Sequence, residues 1–503
     1  MELQLKKTSI EGFEKVFAYT ARREETTDAV VPDTLPDVSQ ILCATGNVLI
    51  RSKDVDGGRL RIEANLPIRV VFVPEEGNGL GCMDVNLPFS FSVEDARIPE
   101  DGLCLTELSI ASMDAKILNP RKVSVRAEIV ISLDCWKETS IEFQAAPEEP
   151  MQGLNTLVRN IYVTPARSVT EKTFILTDEF TIPESQPAAE RILSHQVQLL
   201  TEDVKAVGTK LIVRGSATLR LLYLSVENTV EAAETATEFS QVIEMEKMPE
   251  EPYPIVTMLL SGIYCDLTGS DGRTGETELH LVAQAVVYGT EEAEYLADAY
   301  SNSNILELET EQKELRRYKG QTTLHSTLHE RLSAAVGAEE IIQTFFEPGS
   351  VRMEESEAYL PVCIRVVYRT AEGTVCCVKK NAEAVFRLPA ESNRQLIPAG
   401  IRVEDMQASP SADGIAIHAE IELRCIVCET EAVSCVSAVR CDADQPLDLS
   451  GEPSLVIIQA RSGADLWNLA KENRSTVEAI TGANNLDTLQ EPWEKLILIP
   501  KTM

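Results

Sequence analysis

The octapeptide "LPIRVVFV" (residues 66–73) returns twice along the chain, as "ATLRLLYL" (217–224) and "VCIRVVYR" (362–369). In each, an arginine, Arg69, Arg220 or Arg365, is followed three residues later by an aromatic ring, Phe72, Tyr223 or Tyr368. Short runs rich in Val, Ile, Leu and Tyr, bounded by Gly, Pro, Asn and Asp, read as β-strands. The repetition implies three copies of one strand-rich unit.

The first two copies hold register over a long distance. "PDTLPDVSQIL" (32–42) answers "PESQPAAERIL" (183–193), so both prolines, the Ile-Leu pair and the later aromatic recur at one constant offset. Downstream, "RIPED", "KMPEE" and "LIPAG" place Pro99, Pro249 and Pro398 at similar points, and "RAEIVISL", "AQAVVYG" and "HAEIELRC" read as a closing strand. The third copy lacks the paired prolines and is the most divergent. Each unit offers a Pro-stiffened lead-in, an Ile-Leu anchor and alternating strands whose inner side can pack on a second sheet. The expected fold is mainly β, with tandem β-sandwich-like domains of about 100–150 residues. The expected boundaries are 1–150, 151–305 and 306–445, then a small unit at 454–503. Linkers are expected near residues 145–168, rich in Pro and Glu, and at 442–453.

A formal charge of −34 on 503 residues surrounds the molecule with a field that repels phosphate backbones and anionic lipid, so nucleic acid is not an expected partner. "MELQLKKTSIEGFEKVF" alternates charged and apolar residues, with no uninterrupted apolar core of an export signal, and no later run reaches membrane-spanning length. A cytoplasmic, non-membrane-spanning protein is expected, and its 12 cysteines are expected as thiols rather than disulfides.

The closing stretch, "SGADLWNLAKENRSTVEAITGANNL" (462–486), reads as two short helices joined by a polar break. Asp465 offers an oxygen to the free amides of the first, with Leu466, Leu469 and Ala470 along one side. Ser475 and Glu478 have capping-box spacing before the second, where Val477, Ile480 and Ala483 repeat at helical intervals. "SLVIIQA" and "EKLILIP" flank them as strands. This β-α-α-β order resembles the LysM module, a small α+β domain, in Gly463, Leu466-Trp467, Asn484-Asn485-Leu486, Pro492, Lys495-Leu496 and Ile499-Pro500. LysM modules bind N-acetylglucosamine glycans in a shallow groove between two loops. The family's Gly-Asp-Thr-Leu is here Gly463-Ala464-Asp465-Leu466, and its Pro-Gly-Gln turn is Pro492-Trp493-Glu494. A bulky ring in place of glycine beside the groove favours a protein partner. The expected partner-binding residues are Asp465, Leu466, Trp467, Asn484, Asn485, Leu486 and Trp493, with closure of the small core as the plainer role for Trp467 and Trp493.

"FILTDEFTIPESQPAAERIL" (174–193) and "LADAYSNSNILELETEQKEL" (296–315) resemble the SPOCS domain, formerly DUF3794, of spore-forming Firmicutes. Three such domains and one LysM resemble the SipL-like family of clostridial spore coat morphogenetic proteins. That resemblance implies a non-enzymatic adaptor in the mother cell, at the forespore surface, whose LysM binds the coat's basement-layer morphogenetic ATPase and helps the coat localise and encase. Other coat proteins are further implied partners. Three domains would present interaction surfaces in series and gain avidity for a polymerised partner. The alternatives are a peptidoglycan-binding protein of the spore envelope and an envelope hydrolase targeted by its LysM.

No cofactor, metal or catalytic residue is expected. His325 and His329 stand four apart, as a helical metal site needs, but no third ligand is fixed by spacing, and a solvated helix face is the plainer reading. Cys425 and Cys428 form CxxC, yet "IELRCIVC" reads as a strand, on which residues three apart point to opposite faces. "GSDGRTGE" (269–276) lacks the Gly-Lys-Ser/Thr ending of a phosphate loop and reads as a surface turn. The recurrent Arg69, Arg220 and Arg365 are expected to pair with strand-neighbouring carboxylates.

Overall fold

Alternating apolar and polar residues, the mark of a strand half in and half out of a core, run through most of the chain, and the fold is mainly β. A computed structural model describes residues 2–76, 79–389, 394–447, 451, 453–459, 465–484 and 496–502.

The strands fall into three successive sets and a terminal unit. The first set is β1 (Leu5–Val30), β2 (Val38–Gly46), β3 (Leu49–Asp56), β4 (Arg59–Pro74), β5 (Gly81–Glu94), β6 (Leu103–Asn119) and β7 (Lys122–Pro147). The second is β8 (Leu154–Val163), β9 (Ala166–Thr181), β10 (Ala189–Val207), β11 (Lys210–Ser225), β12 (Val230–Glu244), β13 (Pro252–Leu267), β14 (Thr274–Gly289) and β15 (Glu291–Ser301). The third is β16 (Asn304–Leu332), β17 (Glu340–Pro348), β18 (Arg352–Met353), β19 (Glu357–Arg369), β20 (Val375–Arg387), β21 (Arg394–Ser411) and β22 (Gly414–Pro446). The terminal unit is β23 (Leu455–Gln459), α1 (Leu466–Glu472), α2 (Val477–Asn484) and β24 (Leu496–Pro500).

One pairing order recurs. The first set joins β6-β7-β1, the second β13-β14-β9 and the third β21-β22-β16, while β4, β11 and β19 each sit between partners in a second sheet. In the first set the two sheets face each other over Leu60, Ile62, Ile68 and Phe72 on one side and Ile129 and Ile131 on the other. The third repeats this with Leu360, Ile364 and Phe386 against Ile417 and Ile421.

The apolar run that ends each recurrent octapeptide is buried on both faces. Val70 and Phe72 point into the core of their own set, whereas Val71 turns outward into a cluster that also holds Leu222 and Val367. Leu42, Leu193 and Phe345 join that shared cluster. A second convergence is built from the long antiparallel ribbons, where Ile10 and Phe143, Ile161 and Tyr295, and Leu315 and Val433 meet. Strands far longer than the usual five or six residues arise because each ribbon continues its sheet beyond its own core. A register shift marks the passage at Lys15/Phe17 and at Tyr318/Gly320, and Thr164-Pro165 breaks the strand there in the second set. The sets therefore close around common clusters and are not strung out in series.

Several sequence expectations change. His325 and His329 lie on strand β16, not on a helix, and His329 meets His418 of β22 with Nδ1 atoms 3.2 Å apart. Residues 145–168 are largely strand and not linker, because β7, β8 and β9 run through them. Cys104 and Cys135 form a disulfide, for the register of β6 and β7 sets them directly opposite each other. Cys425 and Cys428 do point to opposite faces, one into the third core and one into a cluster shared with the other sets.

Candidate functional site

In the terminal unit, β23 pairs antiparallel with β24, and the two helices cover one side of the ribbon. Asp465 caps α1, accepting from the Trp467 amide at 3.1 Å and from Asn468 Nδ2 at 3.3 Å. The α2 cap is Thr476 rather than Ser475: Thr476 Oγ1 accepts from the Ala479 amide at 3.1 Å, while the Ser475 hydroxyl turns to the Pro500 carbonyl. Leu466, Ala470, Ile480, Ile497 and Ile499 make the core. Asn484 staples α2 to β24, donating from Nδ2 to Leu498 O at 2.6 Å and accepting from the Leu498 amide at 2.8 Å.

This unit docks on β15 of the second set. Tyr300 enters its core, packs edge-on to Trp467 at 4.8 Å between ring centres, and donates its hydroxyl to Ser475 O at 2.8 Å. Trp467 Nε1 donates to Asp298 Oδ2 at 2.8 Å, and Lys471 Nζ bonds the same carboxylate at 2.7 Å. Asn302 Nδ2 adds a bond to Thr502 Oγ1 at 2.8 Å. Burial works to raise the Asp298 pKa, but Lys471 and Trp467 outweigh it and hold the carboxyl below its usual range. Burial also pushes the Tyr300 phenol up to about 12, so it remains a donor.

Of the expected partner-binding residues, the structure brings Asp465, Leu466 and Trp467 together at the start of α1 and sets Asn484 at the end of α2. Asn485, Leu486 and Trp493 lie outside the described residues. Sequence reasoning missed the outer side of the ribbon, where Leu455, Ile457 and Leu496 are 48%, 58% and 70% exposed. Alternation in "SLVIIQA" and "EKLILIP" carried that signal, since a two-stranded ribbon with one side on the helices leaves the other bare. Apolar surface gathered in this way marks interaction sites.

In the body, the three recurrent arginines do pair with carboxylates. Arg69 reaches Asp84 with two bonds of 2.8 and 3.1 Å, Arg220 meets Glu234 at 2.8 Å, and Arg365 meets Glu347 at 3.2 Å. Arg69 also ties two sets together, donating to Ile192 O of the second set at 3.3 Å, and the Glu347 carboxylate that Arg365 meets accepts from Gln196 of the second set at 3.0 Å. Between the sets lies a cavity of about 510 Å³, walled by Glu107, Asp134 and Trp136, by Thr201 and Tyr288, and by Arg424. Burial raises the Glu107 carboxyl, while Asp134 is held by Lys15 at 2.6 Å.

Comparison with known proteins bears on the second set. Residues 188–268 match the family model described as SipL, SPOCS domain. The matched span runs from β10 through β13 and contains the second octapeptide. It supports a SipL-like family and a sporulation-related protein associated with the spore coat. No curated protein and no solved structure gives a significant match. Among the described residues, no helix is long and apolar enough to cross a membrane.

Proposed function

We propose that the chain is a non-enzymatic morphogenetic scaffold of the spore envelope, acting in the mother cell at the forespore surface. It would comprise three β-sandwich SPOCS domains, at 1–150, 151–305 and 306–445, and a LysM module at 454–503. The observation that carries this reading is the SipL SPOCS match over residues 188–268. Recurrence of the same strand order before and after the matched set supports giving all three the same assignment.

The LysM module binds the coat's basement-layer morphogenetic ATPase, and the scaffold gathers other coat proteins around it. Asp465, Leu466, Trp467, Asn484, Asn485, Leu486 and Trp493 border the binding face. Leu466, Trp467 and Asn484 shape it from within, since Leu466 is core, Trp467 is seated against Asp298 and Tyr300 of the body, and Asn484 fastens α2 to β24. The apolar outer side of the ribbon supports a protein rather than a glycan as ligand. Weak contacts repeated along a polymerised partner raise avidity without one tight site.

Affinity capture from sporulating cells tests this reading with the full chain, the chain lacking residues 454–503, and Trp493→Ala. The ATPase should be retained by the first and lost from the other two. Equal capture by all three removes the assignment. Co-sedimentation of the full chain with insoluble peptidoglycan, competed away by soluble chitin oligomers, would move the function to glycan binding.

A further inference from the structure

The chain has only five histidines, and two of them meet on the outside of the third set. His329, near the end of β16, stands directly opposite His418 of β22 in the antiparallel register, and their Nδ1 atoms are 3.2 Å apart. On a strand four residues span about 13 Å, too far for His325 and His329 to share an ion. The imidazole that faces His329 comes instead from across the ribbon, 89 residues away along the chain. Alternation places the pair on the solvent side. Ile415, Ile417, Ala419 and Ile421 of β22 point into the third core, so His418 and Glu420 point away from it, and the His418 side chain is 34% exposed.

Two facing imidazoles can share one N–H or hold a cation between them. Ring centres 4.7 Å apart, with planes tilted by 34°, bring these rings over one another and off the straight line that an N–H···N bond prefers. Two nitrogens bonded to one ion at about 2.0–2.1 Å, at angles between a right angle and the tetrahedral one, stand roughly 2.8–3.4 Å apart. The 3.2 Å of this pair lies within that span. The surroundings suit a cation as well. Glu420 Oε1 stands 3.9 Å from His418 Nε2, the nitrogen on the far side of the ring. A carboxylate there favours the tautomer with its proton on Nε2 and leaves Nδ1 bare toward His329. The formal charge of −34 draws cations to the molecule at large.

We propose that His329 and His418 form a two-histidine site for a divalent transition-metal ion of the imidazole-binding class, Zn²⁺, Ni²⁺ or Cu²⁺, which clips β16 to β22. Each residue gives its Nδ1. Water fills the other positions, since among the described residues no group of three His, Cys, Asp or Glu side chains could hold a metal. The clip lies where both strands carry core residues of the third set, Leu328 and Leu332 on one and Ile415 and Ile417 on the other. It therefore fastens the ribbon at the edge of that core.

Ni²⁺ is the probe, added to the full chain without a histidine tag and with accessible thiols blocked by iodoacetamide, so that cysteine does not take the metal. Isothermal titration should show one ion per chain. His329→Asn and His418→Asn should each lose that ion, whereas His325→Asn, on the same strand, and His280→Asn, in the second set, should keep it. Cu²⁺ on the same thiol-blocked wild-type chain should give an electron paramagnetic resonance spectrum with hyperfine splitting from two imidazole nitrogens. A wild-type chain that takes up no stoichiometric ion overturns the proposal, as does an ion retained by His329→Asn or by His418→Asn, or a copper spectrum with a single nitrogen. The wild-type spectrum decides the matter even where an asparagine variant folds poorly.

Discussion

Tyr300, on the last strand of the second set, donates its hydroxyl to the carbonyl of Ser475 in the terminal unit at 2.8 Å. A strand residue of the body thus completes the core of a unit that has only two short helices and a two-stranded ribbon. So small a core is marginal by itself. Tyr300→Phe keeps the ring and loses one hydrogen bond, about 1 kcal/mol, whereas Tyr300→Ala also empties an aromatic site, about 3–5 kcal/mol. Hydrogen exchange should show α1 and α2 opening strongly in the alanine variant and modestly in the phenylalanine one, with the first set unchanged. Protection of the helices that is indifferent to Tyr300→Ala would mean that the terminal unit folds without the body.

The helix caps give a second, independent measure of that unit. Asp465→Ala removes the acceptor for the Trp467 amide, and Thr476→Ala the acceptor for the Ala479 amide. Each should cost the terminal unit about 1 kcal/mol. The same exchange measurement should localise each loss to its own helix.

His195 makes stability depend on pH. Burial, and then the charge of Arg69, press its imidazole down to about 4, with Asp84 acting in the opposite direction. In the unfolded chain the ring titrates near roughly 6.5. Between these values the unfolded chain binds a proton that the folded one refuses, so stability falls as the pH drops from roughly 6.5 to about 4 and is unaffected above that window. The whole difference is about 3 kcal/mol, more than half of it lost by pH 5. His195→Gln should narrow the gap between urea midpoints at pH 7.5 and pH 5. An unchanged gap would assign the acid sensitivity to other groups.

How much of this was legible beforehand follows from where each signal is stored. The octapeptides announced strands because period and composition are local, and each proved to be the strand flanked on both sides in its second sheet. Their unbroken apolar tails held a further message, that Val71, Leu222 and Val367 face a cluster outside their own set, but one sequence does not say what lies across a second face. Asp465 was readable as a cap because capping is local, while Ser475 misled because Thr476, one residue on, has an equally suitable hydroxyl. Docking of Trp467 on Asp298 and Tyr300 was not readable, since it depends on where the chain brings β15. The same holds for the pair Cys104–Cys135, whose meeting is set by the register of β6 on β7.

The recurrent arginines should be unequal despite their shared motif. Arg69 pairs with Asp84, whose side chain is 74% exposed, so Asp84→Asn removes an ion pair largely in water and should cost under about 1 kcal/mol. Arg365 and Glu347 are only 5% and 23% exposed, and Gln196 of the second set bonds the same carboxylate. Arg365→Met leaves that carboxylate with a neutral partner inside the joint between sets, a change of about 3–5 kcal/mol. Replacing both, Arg365→Met with Glu347→Leu, takes the uncompensated charge away and should recover most of the loss. Denaturant midpoints of the full chain for the single and double variants measure the coupling. Equal midpoints for Asp84→Asn and Arg365→Met would show that burial does not distinguish the two sites, and a double variant no better than Arg365→Met would place the cost in packing rather than in the stranded charge.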